Sequence, residues 1–196
     1  MAITNGYATL AQVKAALRIT DSVDDTLLEM ATESASRAID SYCNRNFYKT
    51  ATDVTREYAA ATAYVCDIDD LVSITSLVTV DDNGNTTTWT TSDYQLEPLN
   101  NVVDGSYTPA TRIRAVDNFT FEASPEATVQ VTGVFGWNAV PIEITQATVI
   151  QASRIYKRLD SPLGIISGEL GSMRIGSRLD PDVAQLVDAH RKIRMA

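Results

Sequence analysis

The stretch from Thr128 to Leu159, TVQVTGVFGWNAVPIEITQATVIQASRIYKRL, obliges the chain to change from strand to helix within a few residues. Val129 and Val131 alternate with Gln130 and Thr132, the period-two pattern of a half-buried strand. Gly133, Gly136 and Asn138 interrupt that pattern, and Phe135 and Trp137 sit inside the turn. Pro141 then stands where the first turn of a helix tolerates it, because its missing N–H has no intrahelical partner to lose. From Ile142 the period is helical. At about 100° per residue, Ile142, Ile144, Val149, Ala152, Ile155, Tyr156 and Leu159 share an arc of roughly 160°. Glu143, Gln146, Gln151, Ser153, Arg154, Lys157 and Arg158 fall on the other side. Core packing accounts for the wide arc. Ile150 lies alone in the middle of the polar side; a neighbouring chain could cover it, although single exposed apolar residues are common.

Helical patterns also open the chain. Thr9-Leu10-Ala11-Gln12 has the form of a capping box, and Leu10, Val13, Ala16 and Leu17 mark a short helix behind it. Ser22 to Asp25 can start a second helix, with acids near its positive end. Leu27, Leu28, Ala31, Ala35, Ala38, Ile39 and Tyr42 keep helical spacing to about Cys43, and Asn44-Arg45-Asn46 ends the run. The middle is rich in Thr, Val, Tyr and Ile, with strand candidates at 54–58, 72–80, 86–90, 111–116 and 128–134. Asn83-Gly84 between two of them is a hairpin signal, because both residues tolerate positive φ. After the long helix come Gly164, Gly168, Gly171 and Gly176, too many glycines for a helix, so a hairpin or extended arm is expected. Asp180-Pro181 restarts a helix as N-cap and first residue. The fold class is therefore α+β. Residues 1–50 supply an N-terminal helix pair, 51–135 an inserted antiparallel sheet, 136–160 the long core helix, and 161–196 a glycine-rich arm with a short terminal helix.

The 196 residues are 44 % hydrophobic and 21 % charged, enough to bury a real core. No run of eighteen apolar residues exists, so no membrane-spanning helix is expected. The N-terminus lacks a basic and an apolar region in signal-peptide order, which predicts a cytoplasmic start. The net charge is −9 and unevenly placed: residues 51–140 hold thirteen acidic and only three basic side chains, Arg56, Arg112 and Arg114. That balance argues against tight nucleic-acid binding, which needs Lys and Arg at the phosphates.

The chemistry-bearing motifs fail one by one. Gly171 and Gly176-Ser177-Arg178 have the glycine spacing of a phosphate loop, but serine stands in place of the required lysine. Asp81-x-Asn83-x-Asn85 begins like a calcium loop and lacks its closing glutamate. Asp67, Asp69 and Asp70 read as a solvated turn rather than a cation site. Cys43 and Cys66 read as reduced structural thiols, and one histidine, His190, leaves zinc without ligands. No nucleophile, base and orienter are brought together by any pattern, so no enzyme, cofactor or metal is expected.

The order of motifs carries a resemblance. YATLAQVKAALRI at residues 7–19, DDTLL at 24–28, the run from Ala35 to Tyr42, and Asn44-Arg45-Asn46-Phe47 resemble the start of head–tail connector (adaptor, or head-completion) proteins of tailed bacteriophages. VTGVFGW at 131–137, Val140-Pro141, the helix to Arg158, SPLG at 161–164 and RLDPDV at 178–183 are similar to the β-containing members of that family. The β insertion departs from the smaller all-helical members, so its role is not carried over.

The resemblance implies a virion structural protein. Family members form a ring, usually of twelve copies, under the portal, where it prolongs the DNA channel and carries the next neck or tail protein. Implied partners are the chain itself, the portal, a downstream neck, stopper or tail protein, and passing DNA without tight binding, with no membrane. The implied location is the virion neck, after assembly in the bacterial host cytoplasm. On that reading Phe135, Trp137 and Ile150 belong to a subunit interface, since a ring needs two different patches on each copy. The arm and terminal helix dock on the portal through Gly164, Gly168, Gly171, Met173, Arg174, Ile175, Arg178, Val183, Leu186, Arg191, Lys192 and Arg194. Asp67, Asp69, Asp70, Asp81 and Asp82 face the channel. Alternatives are another neck or tail completion protein (a stopper or tail terminator), a sugar- or peptide-binding module on the insertion, or an enzyme using the three aspartates with a metal.

Overall fold

The computed structural model describes residues 3–103, 106–123, 126–159, 165–168, 171–174 and 179–192. The chain divides into a helical unit, residues 1–45 with 140–196, and a sheet unit, residues 46–139. The helical unit contains α1 (Leu10–Leu17), α2 (Asp25–Cys43), α3 (Ile142–Arg158) and α4 (Pro181–Val187), which runs into a 3-10 turn, Asp188–His190. The sheet unit contains β1 (Val54–Tyr58), β2 (Val65–Val80), β3 (Thr86–Trp89), β4 (Tyr94–Glu97), β5 (Val102–Val103), β6 (Ser106–Tyr107), β7 (Ala110–Ala115) and β8 (Val129–Phe135). β9 (Ile165–Gly168) and β10 (Gly171–Arg174) form a separate antiparallel pair, with Ile165 opposite Arg174, so of the two forms expected for this stretch the backbone takes the paired one. Among the described residues no helix is long and apolar enough to cross a membrane.

In the helical unit the capping box forms: Thr9 Oγ1 accepts from the Gln12 N–H, and Gln12 Oε1 accepts from the Thr9 N–H. Arg18 and Asn44 end α1 and α2 in the left-handed region, at φ 59° and 53°. The buried face of α2 is Leu28, Ala31, Ala35 and Ile39 with Thr32 and Ser36, whose hydroxyls donate back to the carbonyls four residues earlier. α3 answers with Ala147, Thr148 and Ala152, so small side chains on both helices permit close approach. The Tyr156 hydroxyl of α3 donates to Asp24 Oδ2 at 2.6 Å, at the start of α2.

The predicted phase of α3 needs correction. Ile142 and Leu159 are 73 % and 59 % exposed, whereas Gln151, assigned to the polar side, is buried. The helix is covered on two sides, by α1 and α2 and by α4. Glu143 faces His190 at 3.9 Å, and Arg154 pairs with Asp180 and Asp182 of the α4 start. α4 is itself seated: Val183 and Val187 are fully buried, Cys43 Sγ donates to the Val187 carbonyl, and the Lys192 N–H donates to the Cys43 carbonyl at 2.8 Å. Burial pushes the Cys43 thiol up to about 12, which keeps it protonated and unreactive.

The sheet is antiparallel with strand order β1-β8-β2-β7-β4, and β3 pairs with the second half of β2. Asp81 builds the β2–β3 turn by accepting from the N–H groups of Asn83 and Asn85, with Gly84 at φ 80°. The β2–β8 register shifts between Leu71 and Ser73 and again between Ile74 and Ser76. Gly133 sits opposite Ile74 there, and a Cβ on it would lie 2.1 Å from the Ser73 carbonyl oxygen. These irregularities bend β2 around a core of Leu71, Leu77, Ile113, Val129 and Val131 with Trp89 stacked on Phe121 at 4.7 Å. The sequence reading missed the first half of β2 and all of β4, because aspartates dilute the apolar alternation in one and Tyr94-Gln95-Leu96-Glu97 is too short to show it in the other.

The two ends of the sheet unit are clasped together. The Thr50 N–H donates to the Phe135 carbonyl at 2.8 Å, and the Phe135 N–H donates to Thr50 Oγ1. The Trp137 ring lies 5.3 Å from that of Phe47, and its Nε1–H donates to Asp70 Oδ2 at 3.0 Å. Gly136 has φ 111° and approaches so closely that a Cβ would lie 2.0 Å from the Tyr48 carbonyl oxygen.

Two predictions follow from these contacts. Trp137→Phe keeps the ring stack but removes the donor to a buried carboxylate, and should destabilise the protein by about 1–3 kcal/mol in urea titrations; no change in the midpoint would mean the clasp contributes nothing. His190 is held below its ordinary pKa of 6.5 by burial, opposed by Glu143 and reinforced by Arg45. The unfolded chain therefore takes up the proton first, so this contribution is complete above pH 6.5 and is lost as pH falls through the folded value. His190→Gln should flatten the loss of stability on acidification in that window, and an unchanged slope would contradict the assignment.

Candidate functional site

Alternation along β2 decides where its acids point. Cys66, Ile68 and Asp70 are buried, while Asp67 is exposed and Asp69 half-buried on the opposite face. Asp67 lies directly across from Arg112 of β7, and its Oδ1 accepts from Arg112 Nε at 2.7 Å. Arg112 is in turn opposite Glu97 of β4, whose carboxylate also takes Arg114 Nε at 2.5 Å. Arg56 of β1 reaches Asp69 Oδ2 at 2.8 Å and lies 4.3 Å over the ring of Phe135. All three arginines of the sheet unit are thus engaged with its own carboxylates. Such exposed pairs are screened by water and add little to stability; the larger consequence is that these guanidinium groups are already partnered.

The expected sites divide on this geometry. Asp67, Asp69 and Asp70 do not form a solvated turn; they belong to a strand, and two point away from the third. That also removes the metal-enzyme alternative built on them, because their carboxylates do not converge. Asp70 is buried against Trp137 and cannot face a channel. Asp81 and Asp82 lie exposed at the β2–β3 turn, and the Asn85 amide and backbone hold the Asp81 carboxyl below its usual range. Among the described residues no group of three or more His, Cys, Asp or Glu side chains is placed to hold a metal ion.

Phe135 and Trp137 are 1 % and 2 % exposed, so their rings belong to the core of the sheet unit and offer no surface to a neighbour. Ile150 is half-buried. It stands seven residues after Glu143 and four before Arg154, on the side of α3 that meets α4, so the α4 of its own chain explains its burial. Val183 is likewise spent in the helical unit, which corrects its assignment to a portal contact. Leu186 and Lys192 are half-buried and Arg191 is exposed, its guanidinium 5.3 Å from the Tyr42 ring. Gly168, Gly171, Met173 and Arg174 lie on the β9–β10 backbone. Gly164, Ile175, Arg178 and Arg194 lie outside the described residues. Sequence reasoning missed the Asp67–Arg112–Glu97–Arg114 row, whose members are far apart in the chain and become neighbours only through strand pairing.

Residues 7–69, about a third of the chain, match the family model described as phage gp6-like head–tail connector protein. No curated protein matches the chain. Among solved structures, a chain of the "Neck of empty GTA particle computed with C6 symmetry" is similar at 19 % identity with a TM-score of 0.60, covering 100 % of this chain and 95 % of that one. The resemblance to head–tail connector proteins is thus supported by sequence over α1, α2, β1 and the start of β2, and the α+β fold is shared over the full length with a protein solved in a particle neck.

Proposed function

We propose that this chain is a structural protein of a tailed-phage or phage-like neck, an adaptor that forms a ring under the portal, extends the DNA channel and carries the next neck or tail protein. The observation that carries the reading is the connector-family match over residues 7–69. A fold shared with a chain from a C6-symmetric neck agrees with it. A closed ring of about twelve copies joined head to tail is compatible with that symmetry.

The surface chemistry fits passage of DNA without retention. Phosphate binding needs available Lys and Arg, each released counterion adding to affinity. The sheet unit's arginines are held by Asp67, Asp69 and Glu97. Exposed acids such as Asp67, Asp81 and Asp82 are assigned to the channel or its mouth. The portal contact is assigned to the β9–β10 hairpin rather than to α4. The β9–β10 pair is a sheet of its own, outside the six-stranded sheet, and a two-stranded sheet is favoured by packing against a partner. The ring assembles in the host cytoplasm and ends in the virion neck.

Imaging the chain mixed with its cognate portal should reveal a ring on the portal's outer end. Replacing residues 165–174 by a Gly/Ser run of equal length should leave the melting temperature unchanged and weaken portal binding by at least about tenfold, as loss of an interface anchor does. Undiminished binding would move the portal contact elsewhere.

A further inference from the structure

Two Asn-Gly pairs occur in the chain, Asn5-Gly6 and Asn83-Gly84, and the fold holds them in opposite ways. The pair matters chemically because glycine puts no side chain between its own backbone nitrogen and the amide of the asparagine before it. Near the N-terminus that freedom is removed. Asn5 and Gly6 are half-buried, the Asn5 N–H donates to Glu33 Oε1 at 3.1 Å, and the Asn5 carbonyl accepts from Arg37 Nη2 at 2.8 Å. The Tyr7 N–H donates to Ser36 Oγ, and a Cβ on Gly6 would lie 2.5 Å from Ile3 Cγ2. Turning the Asn5–Gly6 peptide therefore means lifting this segment off α2. Asn83-Gly84 stands instead at the tip between β2 and β3. Both residues are exposed, and nothing lies within 4 Å of a Cβ placed on Gly84. The Asn85 side-chain amide is held by Asp81 Oδ2 at 2.9 Å, whereas that of Asn83 makes no hydrogen bond among the described residues. The bonds that fix the tip, from the Asn83 and Gly84 N–H groups to Asp81, are local to the turn and open to water, so a small local opening breaks them.

We propose that Asn83 is a site of spontaneous deamidation, with water as the co-reactant, and that the fold protects Asn5 from the same reaction. The Gly84 backbone nitrogen gives up its proton and attacks Asn83 Cγ. A bond forms between that nitrogen and Cγ, the bond from Cγ to the side-chain nitrogen breaks, and the side-chain nitrogen takes a proton and leaves as ammonia. Water then opens the cyclic imide at either carbonyl. One opening gives aspartate; the other gives isoaspartate, in which the main chain runs through the former side chain and is longer by a methylene. Nothing is oxidised or reduced. Either product adds a carboxylate beside Asp81 and Asp82, within a stretch where thirteen acidic side chains already face three basic ones. The isoaspartate also displaces the N–H groups of residues 83 and 85 from Asp81 Oδ1, the bonds that shape the turn between Val80 and Thr86. The β2–β3 tip thus carries a slow, irreversible gain of negative charge that begins after folding.

The full-length protein, held folded in mildly alkaline buffer, should accumulate a more acidic species on ion exchange. Peptide mapping by mass spectrometry in heavy-oxygen water should place labelled aspartate and isoaspartate at residue 83, formed at least several times faster than at residue 5. In urea, where neither pair is held by the fold, that ratio should fall towards parity. Asn83→Gln changes a side chain without hydrogen-bond partners, so it should keep the parent's melting temperature and lose the isoaspartate signal. Conversion of Asn5 as fast as Asn83 in the folded protein, an Asn83 that stays intact when folded while the unfolded chain converts, an unchanged ratio in urea, or an isoaspartate signal that persists in Asn83→Gln would each overturn the inference.

Discussion

The sheet unit depends on the clasp that joins its two ends. Gly136 can approach the Tyr48 carbonyl only because it has no Cβ and adopts positive φ. That approach lets Trp137 turn inward, stack on Phe47 and donate to Asp70. Asp70 is inside because it follows Cys66 and Ile68 on the buried side of β2, just where the β2–β7 register shifts. A carboxylate there would be costly without donors, and the indole N–H is one of them. With residues 47–50 held against 135–138, the unit begins and ends at one place, the condition under which a folded segment is accommodated as an insertion.

The helical unit solves a different problem. Its helices bury Val13, Leu28, Ile39 and Ile144, and among these they place Ala, Ser and Thr, so close approach and side-chain hydrogen bonds that end on backbone add to the apolar burial. Thr32, Ser36 and Thr148 all return their hydroxyls to the carbonyl four residues back, which lets polar side chains be buried without an unmet donor. Asp24 before α2 and Asp25, Glu33 and Asp40 within it are occupied in the same economical way, by Tyr156, Lys14, the N-terminal backbone and Arg37. The pairing of Arg56, Arg112 and Arg114 likewise leaves the outer face of the sheet without an unpartnered guanidinium. In both units the charges that remain available are set by which charges the fold has already used.

What the sequence determined by itself was local. The capping box at Thr9, the helix stop at Asn44, the Asn83-Gly84 turn and the strand-to-helix switch before Pro141 all rest on the dihedral preferences and hydrogen bonds of residues within a turn of one another. The connector motifs were legible for the same reason, as short ordered runs. What only the tertiary structure decided was which side of each element is covered. Helical phase put Ile142 and Leu159 in a core arc, and the structure left them exposed, because an arc says nothing about where neighbouring helices begin and end. It put Ile150 outside, and α4 covered that side. It put Leu27 and Leu28 in one apolar run, and only Leu28 is buried. Asp67, Arg112, Glu97 and Arg114 became a row only when β2, β7 and β4 were laid in register. Burial is a property of the packed assembly of elements, and no residue carries in its own neighbourhood the information about what will lie across from it.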